Sequence, residues 1–201
     1  MKKILLAPYF QLNKNNEQFY TFSSNWAEYL NYLQFETYFY SESILNLNSF
    51  DALVLPGSGD LYQTNKLMTE KKREKVEKKL IKFFINKKKP ILTVCRGSLF
   101  ISSINQSKIT KIKNHVNRNH NISYLGGIIN SNSFHNYQIK SKPKGFTIIG
   151  KTKDNYIEML YNNSKNILSL MFHPERKNNS QKLINKLIKN FFNGTINFSS
   201  R

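Results

Sequence analysis

The first half of this 201-residue chain alternates short apolar runs with longer amphipathic segments. Four short runs have the length and apolar content of buried strands, at residues 3–7, 34–40, 52–55 and 91–94. Apolar residues recur at helical spacing in the segments 22–33 and 76–84. This alternation is typical of βαβ units, whose strands are parallel and whose helices cover the sheet. We therefore predict an α/β fold with a mostly parallel sheet flanked by helices.

The pattern changes from about residue 107 to short, polar, strand-like segments separated by turns. These segments are residues 121–124, 131–140, 146–151 and 156–161. They predict a small antiparallel β extension of the sheet. The apolar run at 167–172 returns to the parallel sheet, and the spacing of apolar residues over 183–192 predicts a closing helix. We find no repeat or linker, so we predict a single domain covering residues 1–201.

The chain carries 31 lysines and arginines against 12 acidic residues, a formal net charge of +19. Such a charge suits nucleic acid, an anionic membrane or an acidic small molecule. The lysines are spread along predicted helices, as in residues 71–79, without an RNA-binding signature or a DNA-binding motif. We therefore expect a small anionic substrate rather than nucleic acid. A non-catalytic, basic nucleic-acid-binding domain is the alternative, and the sequence does not indicate an oligomeric state.

The apolar run Ile4–Ala7 ends at Pro8, far short of a signal-peptide core or a membrane span. We therefore expect a cytoplasmic protein that does not contact a membrane. Cys95 is the only cysteine, so neither an internal disulfide nor a zinc site built from several thiolates can form. We expect no metal and no cofactor.

Cys95 stands where the apolar run 90–94 stops, just before Arg96 and Gly97. A sharp turn from strand to helix would lift its sulfur out of the core and place it at a helix N-terminus, where amides lower the pKa of a thiol. Arg96 adds a nearby positive charge, and Gly97 permits close packing of the helix against the sheet. A small buried cysteine that only fills the core fits the local pattern equally well.

His173, Pro174 and Glu175 end the second apolar run, 167–172. A residue before proline is extended, and residues two apart in extended backbone project to the same side. Glu175 can therefore reach the His173 imidazole and stabilise the imidazolium that forms when it takes a proton. We predict that Cys95, His173 and Glu175 supply a nucleophile, a base and an orienting carboxylate.

A third motif, Pro-Gly-Ser-Gly-Asp at residues 56–60, follows the strand predicted at 52–55. Ligands bind outside the carboxyl ends of strands in open parallel sheets, so this turn and Cys95 should lie on one rim. Together with Cys95-Arg96-Gly97 and His173-Pro174-Glu175, the turn resembles the class I glutamine amidotransferase superfamily. The resemblance implies a flavodoxin-like fold and a Cys-His-Glu triad.

Within that superfamily, the arginine after the cysteine and the segment 132–135, Asn-Ser-Phe-His, most resemble the γ-glutamyl hydrolase branch. This branch hydrolyses γ-glutamyl amides through a glutamyl thioester without a synthetase partner. The resemblance implies an oxyanion hole formed by Gly57, Ser58 and the amide of Arg96. The substrate-binding residues it implies are Gly59, Asp60, Asn132, Ser133, His135 and Asn136.

The sequence departs from the superfamily pattern at three positions. Around the nucleophile, the family usually has glycine at the position of Thr93 and glutamine at the position of Leu99. Asn136 replaces a second histidine. None of these changes removes a triad residue. A glutaminase subunit that passes ammonia to a synthetase is the enzymatic alternative.

Overall fold

One continuous sheet of nine strands organises the protein, and two further pairs of strands lie beside it. The structure, a computed structural model, describes residues 1–44, 46–125, 127–196 and 198. The strands are β1 (Lys3–Leu6), β2 (Tyr9–Leu12), β3 (Gln18–Thr21), β4 (Glu36–Phe39), β5 (Ala52–Leu55), β6 (Ile91–Val94), β7 (Ile109–Lys111), β8 (Val116–Tyr124), β9 (Gly127–Phe134), β10 (Tyr137–Ile139), β11 (Thr147–Thr152), β12 (Ile157–Asn162) and β13 (Ile167–Leu170). The helices are α1 (Ser24–Tyr32), α2 (Tyr62–Asn65), α3 (Met68–Asn86), α4 (Arg96–Ile104) and α5 (Gln181–Asn193), with a 3₁₀ turn at Leu47–Ser49.

Half of the large sheet is parallel, in the order β4, β1, β5, β6, β13. Numbered along the chain, these strands have the order 2-1-3-4-5, which is the flavodoxin-like arrangement. Strands β5, β6 and β13 are buried at every position, because helices cover both faces of the sheet. The predicted α/β class and flavodoxin-like topology are confirmed.

The other half of the large sheet is antiparallel and continues from β13 through β12, β11 and β8 to β9. The predicted antiparallel extension therefore exists, and it belongs to the same sheet. The segment predicted as one strand at 131–140 is two strands. Its first part ends β9, whereas its second part, β10, pairs with β7 in a separate sheet.

The helices form two layers. Helices α1 and α5 pack on one face of the sheet through side chains such as Trp26 and Phe191, and α3 and α4 cover the other face through Phe84 and Phe100. A β-carbon on Gly97 would lie 2.4 Å from the Leu55 carbonyl oxygen, so only glycine lets α4 pack this closely on β5. None of the helices that the structure describes combines the length and apolar character needed to cross a membrane.

Candidate active site

A cleft of about 340 Å³ opens beyond the carboxyl ends of β5 and β6. The segments that follow strands β5, β6 and β13 contribute Ser58, Gly59, Asp60, Cys95, Arg96, Leu99, His173 and Arg176 to its wall. The end of β9 and the start of β10 contribute Phe134, His135, Asn136 and Tyr137. The structure thus brings the glycine turn, Cys95 and His173 to one rim, as the strand order requires.

Cys95 occupies a sharp turn between β6 and α4. Its backbone has φ of 50° and ψ of −107°, a conformation that costs energy for any residue with a side chain. The Cys95 amide donates to the Leu170 carbonyl at 2.8 Å, and the Cys95 carbonyl accepts from the Leu99 amide at 3.0 Å. These bonds hold the cysteine at the N-terminus of α4. A strained strand-to-helix turn of this kind presents the nucleophile in enzymes of the unrelated α/β-hydrolase fold.

The His173 imidazole lies between Cys95 and Glu175. Its Nδ1 is 2.6 Å from Glu175 Oε1, a distance at which Nδ1 donates a strong hydrogen bond to the carboxylate. The same imidazole lies beside Cys95, since both side chains border Gly57, and it is the partner that lowers the pKa of the thiol. All three side chains are almost fully buried, so these contacts act with little screening by water.

Burial and hydrogen bonding shift the pKa values of Cys95 and His173 in opposite directions. Burial alone would raise the pKa of the Cys95 thiol, but the hydrogen bond from His173 and the charges of His173 and His135 outweigh it and lower that pKa. Burial alone would lower the pKa of His173, but the hydrogen bonds with Cys95 and Glu175 raise it to about 9. Both shifts favour the pair of thiolate and imidazolium over the pair of neutral groups.

Alkylation of Cys95 tests this ion pair. We expect the rate with iodoacetamide to level off at a lower pH than for an ordinary thiol, because His173 lowers the pKa of the Cys95 thiol. In His173→Ala, the thiol loses its partner and its rate should rise with pH towards the ordinary thiol pKa of about 8.5. At pH 6.5 the variant should react more slowly than the parent, since less of its sulfur is ionised. Identical pH profiles for the two proteins would contradict the ion pair.

Gly57 lies directly against the cysteine and the histidine. A β-carbon at this position would be 2.4 Å from His173 Cε1 and 3.0 Å from Cys95 Cβ. Arg73 holds the turn from behind, donating from Nη2 to the Pro56 carbonyl at 3.0 Å and from Nη1 to the Ser58 carbonyl at 2.8 Å. Because N–H and C=O point in opposite directions in a trans peptide, the amides after these carbonyls point away from Arg73.

Gly57→Ala is expected to reduce kcat by about 100-fold with a smaller effect on stability, since the added methyl must displace the His173 ring. Gly127→Ala is the matched control, because a β-carbon there meets nothing nearer than the Tyr124 carbonyl at 3.6 Å. We would measure kcat by steady-state kinetics and the melting temperature for each of the two variants. Equal activity of the two would show that the turn does not set the position of His173.

Asn132 and Ser133 lie beneath the cleft and are absent from its wall. Asn132 Nδ2 donates to the His173 carbonyl at 2.8 Å, and Asn132 Oδ1 accepts from the His173 amide at 2.9 Å. Ser133 is fully buried and donates to the His115 carbonyl. Asn132 therefore holds the backbone that carries His173 and Ser133 holds that of His115, whereas Phe134, His135 and Asn136 face the cleft.

The guanidinium of Arg96 does not offer a free charge to the cleft. It binds Glu70 Oε2 at 3.1 Å and Glu77 through Nη1, lies 3.7 Å from Glu74, and its side chain is only 1% exposed. Its Nε donates to the Asp60 carbonyl at 3.2 Å. The predicted positive charge beside Cys95 is thus neutralised by α3, and the side chain of Arg96 anchors α4 and the glycine turn.

Arg176 and Asn178 also belong to this region, although neither was predicted from the sequence. Arg176 is 38% exposed, lines the cleft, and stacks its guanidinium carbon 4.5 Å from the Phe134 ring centre. Asn178 Nδ2 donates to the His173 carbonyl at 2.9 Å, and its Oδ1 accepts from the Asn132 amide at 2.9 Å. Both follow His-Pro-Glu within three residues, and this proximity is the only signal that the sequence offers.

The antiparallel half of the sheet also carries residues that could hold a metal. Among the residues that the structure describes, the ligand atoms of His115, His135 and Glu158 all lie within 4.8 Å of one another. His135 belongs both to this group and to the wall of the cleft.

Three comparisons with known proteins agree with this architecture. The chain is 31% identical over 141 residues to γ-glutamyl-CDP-amidate hydrolase of Campylobacter jejuni, covering 70% of this chain and 69% of the relative. A Thermoplasma acidophilum crystal structure assigned to a GMP synthase subunit superposes with a TM-score of 0.73 at 20% identity, over 96% and 93% of the chains. A Thermotoga maritima glutamine amidotransferase structure gives a TM-score of 0.71 at 11% identity, over 96% and 97%.

At these identities the two crystal structures show the fold alone. The sequence relative is a hydrolase that acts on an amide bond, which supports hydrolase activity for this chain. The profile of the class-I glutamine amidotransferase family matches residues 17–194, a span that includes the glycine turn, Cys95 and His173. The chain therefore belongs to the class I glutamine amidotransferase family.

Proposed function

We propose that this protein is a cysteine hydrolase that cleaves γ-glutamyl-CDP-amidate to glutamate and cytidine diphosphoramidate. The observation that carries the proposal is the arrangement of Cys95, His173 and Glu175. The cysteine sits in a strained turn at a helix N-terminus, beside an imidazole whose Nδ1 is 2.6 Å from a carboxylate oxygen. This is the arrangement of a nucleophile, its base and the group that orients the base.

Acylation begins when the Cys95 thiolate attacks the γ-carbonyl carbon and the carbonyl oxygen becomes an oxyanion. The amides of Gly57, Ser58 and Arg96 are the candidate donors, each worth about 3–4 kcal/mol in comparable oxyanion holes. When the oxyanion collapses, the carbon–nitrogen bond breaks and the His173 imidazolium gives its proton to the leaving nitrogen. The products of this step are the free amidate and a glutamyl thioester on Cys95.

Deacylation reverses the role of His173. The neutral imidazole takes a proton from water, and the water oxygen attacks the thioester carbonyl carbon. The carbon–sulfur bond then breaks, glutamate leaves, and the thiolate and imidazolium are restored. Glu175 stabilises the imidazolium in both half-reactions through its 2.6 Å contact with Nδ1.

Two features of the cleft support an anionic leaving group. Arg176 places a partly exposed guanidinium on the wall beside His173, and the chain as a whole carries a charge of +19. Leu99 is apolar and lines the cleft where an amide side chain would suit free glutamine. The relative at 31% identity is named γ-glutamyl-CDP-amidate hydrolase, and the leaving group of that substrate is anionic.

A panel of γ-glutamyl compounds tests the proposal. The purified protein alone should release glutamate from γ-glutamyl-CDP-amidate, with kcat/KM at least about 100-fold above that for glutamine. Arg176→Gln should raise KM for the nucleotide substrate more than it lowers kcat, because a charge that binds substrate and transition state equally affects KM. If glutamine is the one compound of the panel that is hydrolysed, and a synthetase increases its turnover, the protein is instead a glutaminase that donates ammonia.

A further inference from the structure

Three of the four histidines in the chain surround one carboxylate, Glu158 on β12. His115 Nε2 lies 3.4 Å and His135 Nε2 lies 3.6 Å from Glu158 Oε1. His120 Nε2 approaches the second oxygen, Oε2, at 3.5 Å. We call these four side chains the His3Glu cluster. His115 precedes β8, His120 lies on β8, His135 follows β9, and Glu158 lies on β12. The tertiary fold brings these separate segments together.

The cluster is buried and several of its polar atoms lack hydrogen bonds. Glu158 and His135 are 1% and 3% exposed. Within the described part of the chain, His120 Nε2, His135 Nε2 and Glu158 Oε2 are buried without a hydrogen-bond partner. A buried polar group without a hydrogen bond destabilises the fold. Three such atoms directed at one another would be a costly arrangement unless a further group joined them.

The spacing of these atoms suits metal ligands better than hydrogen-bonded partners. Hydrogen bonds between nitrogen and oxygen have a typical length of about 2.9 Å, which is shorter than all three contacts. Ligands bound tetrahedrally at about 2.0–2.1 Å from a common ion lie about 3.3–3.4 Å apart. The distances from His115 and His135 to Glu158 Oε1, 3.4 and 3.6 Å, are close to that separation, and these three ligand atoms lie within 4.8 Å of one another. His120 lies 3.5 Å from the second oxygen, Oε2, so the carboxylate would use both oxygens to include it.

The tautomer of His135 is also set for coordination. Its Nδ1 lies 2.9 Å from the Tyr137 carbonyl oxygen, which can only accept, so Nδ1 carries the hydrogen. The lone pair of the neutral ring is then on Nε2, the atom that faces Glu158. A carbonyl that fixes a histidine ring from its far side is the usual second partner of a metal-bound imidazole.

We propose that His115, His120, His135 and Glu158 bind one divalent transition-metal ion of the zinc class. Three imidazole nitrogens and one carboxylate oxygen form a borderline donor set that suits such ions and not Mg²⁺ or Ca²⁺. The ion ties the β8–β9 hairpin to β12 and fixes His135 in the wall of the cleft. This proposal departs from the expectation of no metal, which was drawn from the single cysteine and considered only sites built from thiolates.

Metal titration of full-length Cys95→Ala protein tests the site. This background removes the thiol, which could itself bind zinc with His173, and it makes the result independent of the proposed catalytic function. We expect one equivalent of Zn²⁺ per chain, a higher melting temperature with Zn²⁺ that EDTA reverses, and, with Co²⁺, the visible absorption of a four-coordinate site. Absence of stoichiometric Zn²⁺ binding would overturn the proposal, and the cluster would then be a set of imidazolium–carboxylate contacts.

Variants in the same background locate the ion. Glu158→Gln and His120→Ala should each weaken Zn²⁺ binding by at least about 10–100-fold, whereas His173→Ala, which removes the one histidine outside the cluster, should leave it unchanged. Zn²⁺ binding that survives Glu158→Gln but is lost in His173→Ala would also overturn the proposal. The titration of the Cys95→Ala parent decides whether a site exists even where a further variant fails to fold.

Discussion

Replacing Cys95 with alanine is expected to lower glutamate release by at least about 10³-fold while leaving the protein folded. Loss of the nucleophile removes the acyl-enzyme route, and only binding and oxyanion stabilisation remain. The stability should change little, because the substitution removes one sulfur atom from a residue at the cleft wall. Turnover is measured with γ-glutamyl-CDP-amidate, and folding is followed by thermal unfolding.

Cys95→Ser is the matched control, since it keeps the shape and the hydrogen bond but replaces the thiolate with a hydroxyl of much higher pKa. It should be almost as inactive as the alanine variant. Activity within tenfold of the parent in Cys95→Ala would refute the catalytic role of the cysteine. Such a result would favour the alternative of a basic binding domain on an amidotransferase scaffold.

The second large effect is expected at Glu77, which lies under the active site and is fully buried. Its carboxylate accepts from Arg73 Nε at 3.0 Å and also pairs with Arg96. Glu77→Gln would leave two buried guanidinium groups without their shared counter-charge. Breaking a buried ion pair from one side costs about 3–5 kcal/mol, and we expect a loss of that size in the free energy of unfolding.

Urea unfolding measures this loss. Glu28→Gln, at a position on α1 outside the buried network, is the control and should change stability by less than about 0.5 kcal/mol. Activity should fall along with stability in Glu77→Gln, because Arg73 holds the Gly57 turn and Arg96 starts the helix behind Cys95. If the two glutamine variants are equally stable, the buried network does not support the fold in the way described.

The sequence predicted those parts of the fold that depend on local burial. The strands at 52–55 and 91–94 were placed correctly because their residues are buried on both faces and leave an uninterrupted apolar run. The hairpin of β2 and β3 was missed, since it lies beside the main sheet and its residues are mostly exposed or half-buried. Partial exposure of this kind leaves no clear period in the sequence.

In the site, contacts between residues close in sequence could be predicted, and contacts between distant segments could not. His173 and Glu175 are two residues apart, so backbone geometry alone indicated their contact. The neutralisation of Arg96 depends on Glu70 and Glu77, which lie 26 and 19 residues away along the chain on α3, and no local pattern reveals it. The His3Glu cluster escaped prediction for the same reason, because four separate segments contribute to it.

Direct detection of the acyl-enzyme tests the central claim, that Cys95 is the nucleophile of a γ-glutamyl hydrolase. The protein is mixed with γ-glutamyl-CDP-amidate, quenched in acid within one turnover, and analysed as intact protein and as peptides by mass spectrometry. We predict an added mass of one glutamyl group, located on the peptide that contains Cys95, removed by hydroxylamine and absent from Cys95→Ala. Rapid glutamate release with no adduct on Cys95 at any quench time, or an adduct on another residue, would contradict the account.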